Sequence, residues 1–167
     1  AAITDQARRR AQAGGRVTAP YYADEAVTIY HSRWEDMLAL LPDESVDIVL
    51  TDPPYNVGYA YDGYSDHMDE DDYFAWQLQL ITEAARVLKT SGSLVYLHYP
   101  EFAARIWAAA PEVADLRHYE WVTWTYNTHT GGTPLRKATR AWLWLAKGVP
   151  FVDATAFEGV YQNPLDA

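Results

Sequence analysis

The run Val46-Asp47-Ile48-Val49-Leu50 breaks off in Thr51-Asp52-Pro53-Pro54-Tyr55-Asn56, and nothing else in the chain restricts the fold as strongly. A short, nearly all-apolar run suits a central parallel strand covered on both faces. The two prolines cannot donate to a sheet ladder, so the strand must end there. Ligands of such sheets sit beyond the carboxyl ends of the strands, which is where Asp52 falls. A carboxylate, two rigid rings and an aromatic plate then supply acceptors and a stacking surface in fixed geometry. Holding an extracted nucleobase by its polar edge and its face requires that combination.

The surrounding pattern is α/β. Val27 to Tyr30 reads as a strand, and Ser32-Arg33-Trp34-Glu35 has the spacing of a capping box opening a helix through Leu41. Pro42-Asp43-Glu44-Ser45 is turn chemistry. Residues 56 to 72, rich in Asp and Tyr, read as a long loop. His67 to Asp72 does not match a calcium loop and reads as an acidic helix entry, with Asp71 or Asp72 as cap. Phe74, Leu78, Ile81, Ala85 and Leu88 keep the three-and-four spacing of one helix face. That helix is expected to end near Lys89, with Thr90-Ser91-Gly92 as a turn and Ser93 to His98 as a strand, a parallel crossover unit. Glu101 to Ala110 reads as a helix closed by Pro111, and Trp121–Tyr126 and Ala141–Leu145 as two aromatic strands. The five histidines are too scattered for a zinc motif; His98, at a strand end, either lines the pocket or is a satisfied buried histidine, the second reading being favoured.

With 167 residues, 49% hydrophobic, and 7 Trp, 13 Tyr and 4 Phe, the chain suits one domain with one core. Its formal charge of -10 argues against extensive phosphate contact by this chain alone. Any nucleic-acid surface must be local. Arg8-Arg9-Arg10 form the one basic cluster, before Gly14-Gly15, and read as a solvated helix end or terminus in preference to the alternative, a DNA-contacting arm. The absence of cysteine removes disulfides and thiolate metal sites and fits a reducing cytoplasm. No apolar run approaches the ~20 residues that span a bilayer.

Asp52-Pro53-Pro54-Tyr55 at a strand end, with further landmarks in order from about Val27 to Lys147, resembles the catalytic motif of the AdoMet-dependent DNA amino-methyltransferases. The resemblance implies a Rossmann-like fold, a mostly parallel sheet with an antiparallel C-terminal strand pair, S-adenosylmethionine as cofactor and double-stranded DNA as partner. It implies that Asp52 and the Pro53 carbonyl accept hydrogen bonds from the target amine and that Pro54 stiffens the turn. Tyr55 would stack on the flipped base, with Asn56 beside it, and Thr51, Asp52 and Pro53 would form one wall of the cofactor pocket. Arg136 and Lys137, in the connection between the last two strands, are either phosphate contacts or ordinary loop charge. Asp before Pro-Pro-Tyr leans towards adenine; the alternatives are cytosine-N4 methylation and a non-catalytic DNA-binding or partner subunit. Ring-carbon methylation, which in its own family needs a cysteine, is excluded.

The glycine-rich turn that carries AdoMet in this fold is not found in residues 1 to 167, and Ser32-Arg33 stands where a glycine-acidic pair is common. The catalytic motif comes early, as in the permuted (beta) class, so the chain resembles the front half of such an enzyme. Residues 1–22 would be an arm, 23–149 the catalytic half, and 150–167 a tail leading towards a target-recognition or cofactor-binding region. The rest of the pocket would come in cis, from a second chain or from a homodimer.

Overall fold

A computed structural model describes residues 19–61, 64–126 and 138–153. The arginine cluster at residues 8–10, Asn127, His129, Thr130, Arg136 and Lys137 lie outside them. In chain order the elements are β1 (Tyr22–Ala23), β2 (Thr28–Ile29), α1 (Trp34–Leu40), β3 (Val46–Thr51), β4 (Ala60–Tyr61), β5 (Tyr64–Ser65), α2 (Glu70–Val87), β6 (Leu88–His98), α3 (Pro100–Val113), β7 (Arg117–Thr125) and β8 (Thr139–Ala146). β1 and β2 form a separate antiparallel ribbon, as do β4 and β5. The expected strand at Val27 to Tyr30 is therefore a ribbon arm outside the main sheet, and the expected long loop before α2 contains a small hairpin.

The main sheet has the order β3-β6-β8-β7. β3 pairs with β6 in parallel, and β8 pairs antiparallel with β6 and with β7. The antiparallel terminal pair is as expected, but the parallel part is one pairing, because β3-α2-β6 is the one parallel crossover among the described residues. β3 is also an edge strand there, not a central one. Val46 and Val49 pack on the core, whereas Ile48 and Leu50 are 62% and 67% exposed on the other face. The three helices of the described residues join one core with Leu94, Tyr96, Leu143 and Leu145 of the sheet. No helix of the described residues is long and apolar enough to cross a membrane.

Several local signals are resolved differently from their sequence reading. The capping box at Ser32 does not form: Arg33 is the N-cap and makes no side-chain cap bond. Glu35 instead binds the Arg33 guanidinium and accepts from Trp76 Nε1 at 2.9 Å. Asp69, not Asp71 or Asp72, caps α2, accepting from the Asp71 amide at 2.9 Å. The buried line of α2 runs through Tyr73, Gln77, Leu80, Ile81, Ala84 and Val87. Phe74 and Leu78 flank it, because the helix is covered from two sides. Lys89 to Gly92 belongs to β6 as an irregular segment, since the register jumps from Val46↔Leu88 to Ile48↔Ser93. A Cβ at Gly92 would lie 2.9 Å from the Lys89 carbonyl, so a tight glycine turn is there in substance.

Pro111 lies inside α3 rather than closing it. Having no N–H, it leaves the carbonyl of Trp107 without a helical partner. His118 Nε2 donates to that carbonyl at 2.5 Å and stacks on the Trp107 ring.

Candidate active site

β3 ends at Thr51, and Asp52, Pro53, Pro54 and Tyr55 follow at the carboxyl end of the sheet, with Pro53 buried and Asp52 exposed. Three clamps hold this turn. Tyr73, on the first turns of α2, donates its hydroxyl to the Pro54 carbonyl at 2.5 Å. The buried Asp66 carboxylate accepts from the Asn56 and Val57 amides at 2.8 and 3.1 Å. Asn56, in the left-handed region at φ 56°, binds the Met68 backbone through both ends of its amide, at 3.0 and 2.6 Å. Asn56, expected on the DNA, uses one amide N–H and its amide oxygen to fix the loop. At about 1 kcal/mol net per bond, the set holds the carboxylate and the Pro53 carbonyl in place before any substrate arrives.

Behind the loop runs a buried donor chain. His98 Nδ1 accepts from the Tyr99 amide at 2.8 Å, which leaves the proton on Nε2 to donate to the Tyr73 hydroxyl, also at 2.8 Å. Burial pushes the His98 imidazole down to about 4, so it stays neutral and keeps that tautomer. His98 is a satisfied buried histidine, the favoured of its two readings, and its partner Tyr73 carries the order through to the Asp-Pro-Pro-Tyr turn.

The ring of Tyr55 packs 4.7 Å from His98 and 4.9 Å from Tyr99, centroid to centroid. Burial and then a hydrogen bond to Asp52 push the phenol well above its ordinary range, and Arg140 opposes them. Arg140, at the start of β8, lies 3.8 Å over the Tyr99 ring, 5.3 Å from that of Tyr55 and 5.2 Å from that of Tyr126, and donates to the Tyr126 hydroxyl. Sequence reading missed Tyr73, Asp66, Tyr99 and Arg140. Only Tyr99 carried a local signal, following His98 at a strand's carboxyl end; the others are brought in by α2, the hairpin and the antiparallel strand.

Asp52, Pro53, Tyr55, Val57 and Tyr59 line an open cleft of about 490 Å³. A larger groove of about 670 Å³ lies between α1 and α2, but its walls are mainly apolar and its two carboxylates, Glu35 and Glu83, are bound to Arg33 and Arg86. The smaller cleft is the one that brings a carboxylate and a carbonyl together with a half-buried aromatic ring. Among the described residues no three His or carboxylate side chains gather as a metal site.

A parallel crossover unit whose first strand runs out into an Asp-Pro-Pro-Tyr turn defines an α/β protein with its cleft at the carboxyl end of the sheet. Residues 46–162 match the model of the N6/N4 DNA methylase family, and the chain belongs to that family. It is 39% identical over 80 residues to the DNA adenine methyltransferase YhdJ of Escherichia coli (strain K12), covering 48% of this chain and 27% of that one. To the type II methyltransferase M.HpaI of Haemophilus parainfluenzae it is 28% identical over 93 residues, 56% of this chain and 30% of the relative. The chain thus spans under a third of either relative's length. PvuII DNA methyltransferase (cytosine-N4-specific) shares the fold over 87% of this chain and 58% of its own, with a TM-score of 0.69 and 18% identity. TTHA0409 of Thermus thermophilus, solved in complex with S-adenosyl-L-methionine, superimposes with a TM-score of 0.52 over 78% of this chain and 58% of its own, at 18% identity.

Proposed function

We propose that this chain is the catalytic half of a DNA methyltransferase that methylates the exocyclic amine of a flipped adenine, using S-adenosylmethionine, in the cytoplasm. The observation that carries the reading is the clamped turn: Asp52 exposed at the cleft, with Pro53 beside it and Pro54, Asn56 and Val57 each tied to another element. A base amine is a poor nucleophile because its lone pair is delocalised into the ring. Two acceptors, the Asp52 carboxylate and the Pro53 carbonyl, draw its hydrogens out of plane and localise that lone pair. Fixed acceptors need no reorganisation during the step, and holding nitrogen and methyl carbon aligned supplies several kcal/mol of the barrier.

The cofactor, when bound, supplies an electrophilic methyl on a sulfonium. The Asp52 carboxylate that lines the cleft suits that positive charge, and Thr51, Asp52 and Pro53 would make one wall of the pocket. The opposite side is open: Ile48 and Leu50 leave an uncovered apolar face, and the β3 edge is unpaired among the described residues. A ligand of this size needs a pocket that mostly encloses it, so the remaining wall comes from sequence beyond this half or from another chain.

Asp before Pro-Pro-Tyr supports adenine over cytosine. The test is to incubate the whole gene product with labelled S-adenosylmethionine and unmodified duplex DNA, then identify the nucleoside. N6-methyladenine is expected. N4-methylcytosine would replace the base assignment, and no transfer to DNA would overturn the reading.

A further inference from the structure

We infer that Arg140 is a DNA-phosphate-binding residue at the mouth of the catalytic cleft, presented by a cage of tyrosines; this rests on the methyltransferase reading above. The chain is strongly acidic, so contact with a duplex requires a local, uncompensated cation. Among the described residues most cations are already compensated. Arg33 pairs with Glu35, Arg86 with Asp43 and Glu83, Lys89 with Asp47, Arg105 with Glu70 and Lys147 with Glu44. Arg117 and Arg140 remain, and topology separates them. Arg117 pairs with Ala146 at one end of β8, whereas Arg140 pairs with Trp124 at the other, six residues or roughly 20 Å along the strand. The Arg140 end is the end where His98 meets Ala141 and where β3 gives way to Asp52. Arg140 is the one of the two beside the chemistry.

Its partners fix the side chain without neutralising it. Nη1 donates to the Tyr126 hydroxyl and the Thr139 carbonyl, a further N–H serves the Tyr55 hydroxyl, and the Tyr99 ring supports one face of the guanidinium. These are neutral acceptors and a π-face. Of the five N–H groups of an arginine, about two stay in the fork for a ligand, and a planar fork fits a phosphodiester bidentately. A charge 5.3 Å from the ring expected to stack on the extracted base is placed for a phosphate flanking that nucleotide. The anion could instead be the cofactor's carboxylate, which has the same chemistry for a guanidinium, and separate titrations distinguish the two.

The experiment compares the whole gene product with Arg140→Gln and Arg140→Lys, measuring duplex affinity across a salt series and S-adenosylmethionine affinity by calorimetry. For Arg140→Gln, duplex binding should weaken about 5- to 20-fold and the slope of log K against log salt should fall by about 1, with most of the catalytic loss in KM. Arg140→Lys should retain the slope. An unchanged affinity and slope in Arg140→Gln, or a loss confined to kcat, would overturn the phosphate role, as would weakened cofactor binding with duplex affinity intact. Failure of the wild-type protein to bind or methylate DNA would instead count against the methyltransferase reading itself.

Discussion

At the scale of single residues, the proposed site sets the exposed Asp52 carboxylate on a loop held by the buried Asp66 carboxylate and the Tyr73 hydroxyl. Asp52→Ala should reduce turnover ~10²- to 10³-fold in the whole protein, the usual cost of one preorganised polar partner, with an unchanged circular dichroism spectrum; activity within about threefold of wild type would remove Asp52 from its role. Tyr55→Phe keeps the stacking ring and should keep much of the activity, while Tyr55→Ala should lose ~1–3 kcal/mol of base binding. Equal behaviour of the two variants would count against stacking. His98 makes a pH prediction. Its imidazole is held near 4 by burial against an ordinary value of 6.5. The unfolded chain therefore binds the extra proton first as pH falls, and stability present above about 6.5 is lost between there and 4, up to about 3 kcal/mol. Urea unfolding of wild type and His98→Gln at stepped pH should show the slope in that window in wild type and its flattening in the variant.

At the scale of elements, α2 does two jobs, closing the core and delivering Tyr73 to the Pro54 carbonyl. Its start depends on Asp69, whose side chain accepts from the amides of Asp71 and Asp72. Asp69→Ala should cost about 1 kcal/mol in chemical denaturation, and because Tyr73 sits one turn further on, it should also lower turnover more than an equally destabilising change at the far end of the helix. Retained turnover with the full stability loss would uncouple the helix from the loop. The sequence reading located this helix but placed its cap two or three residues late. Several acids in a row each offer the same capping oxygen, and only the backbone entry angle selects one.

At the scale of the whole molecule, the exposed Ile48 and Leu50 and the β3 edge, unpaired among the described residues, show a sheet with room for more chain. The isolated 167-residue chain should therefore bind S-adenosylmethionine weakly or not at all and methylate nothing until the remaining wall is supplied. Calorimetric titration of that chain tests this. Micromolar binding by a monomer, checked by sedimentation, would show that the pocket is already complete.

The amino-acid sequence alone determined the strand that ends in Asp-Pro-Pro-Tyr, the crossover unit around it and the antiparallel strand pair, because prolines, hydrophobic period and short-range spacing are local quantities. The proposal that chemistry centres on Asp52 also starts from the sequence. Tertiary structure alone decided which side chains surround that carboxylate. Arg140 and Tyr55 are 85 residues apart, and nothing near either one in sequence points to the other; they meet because β8 runs antiparallel to β6 and so begins beside the loop. The same holds for Tyr73 and His98, and for Asn56, whose polar amide looked free to meet DNA until the returning chain brought the Met68 backbone within reach. Local pattern is set by what a residue is, whereas partnership is set by which distant strand or helix packs against it.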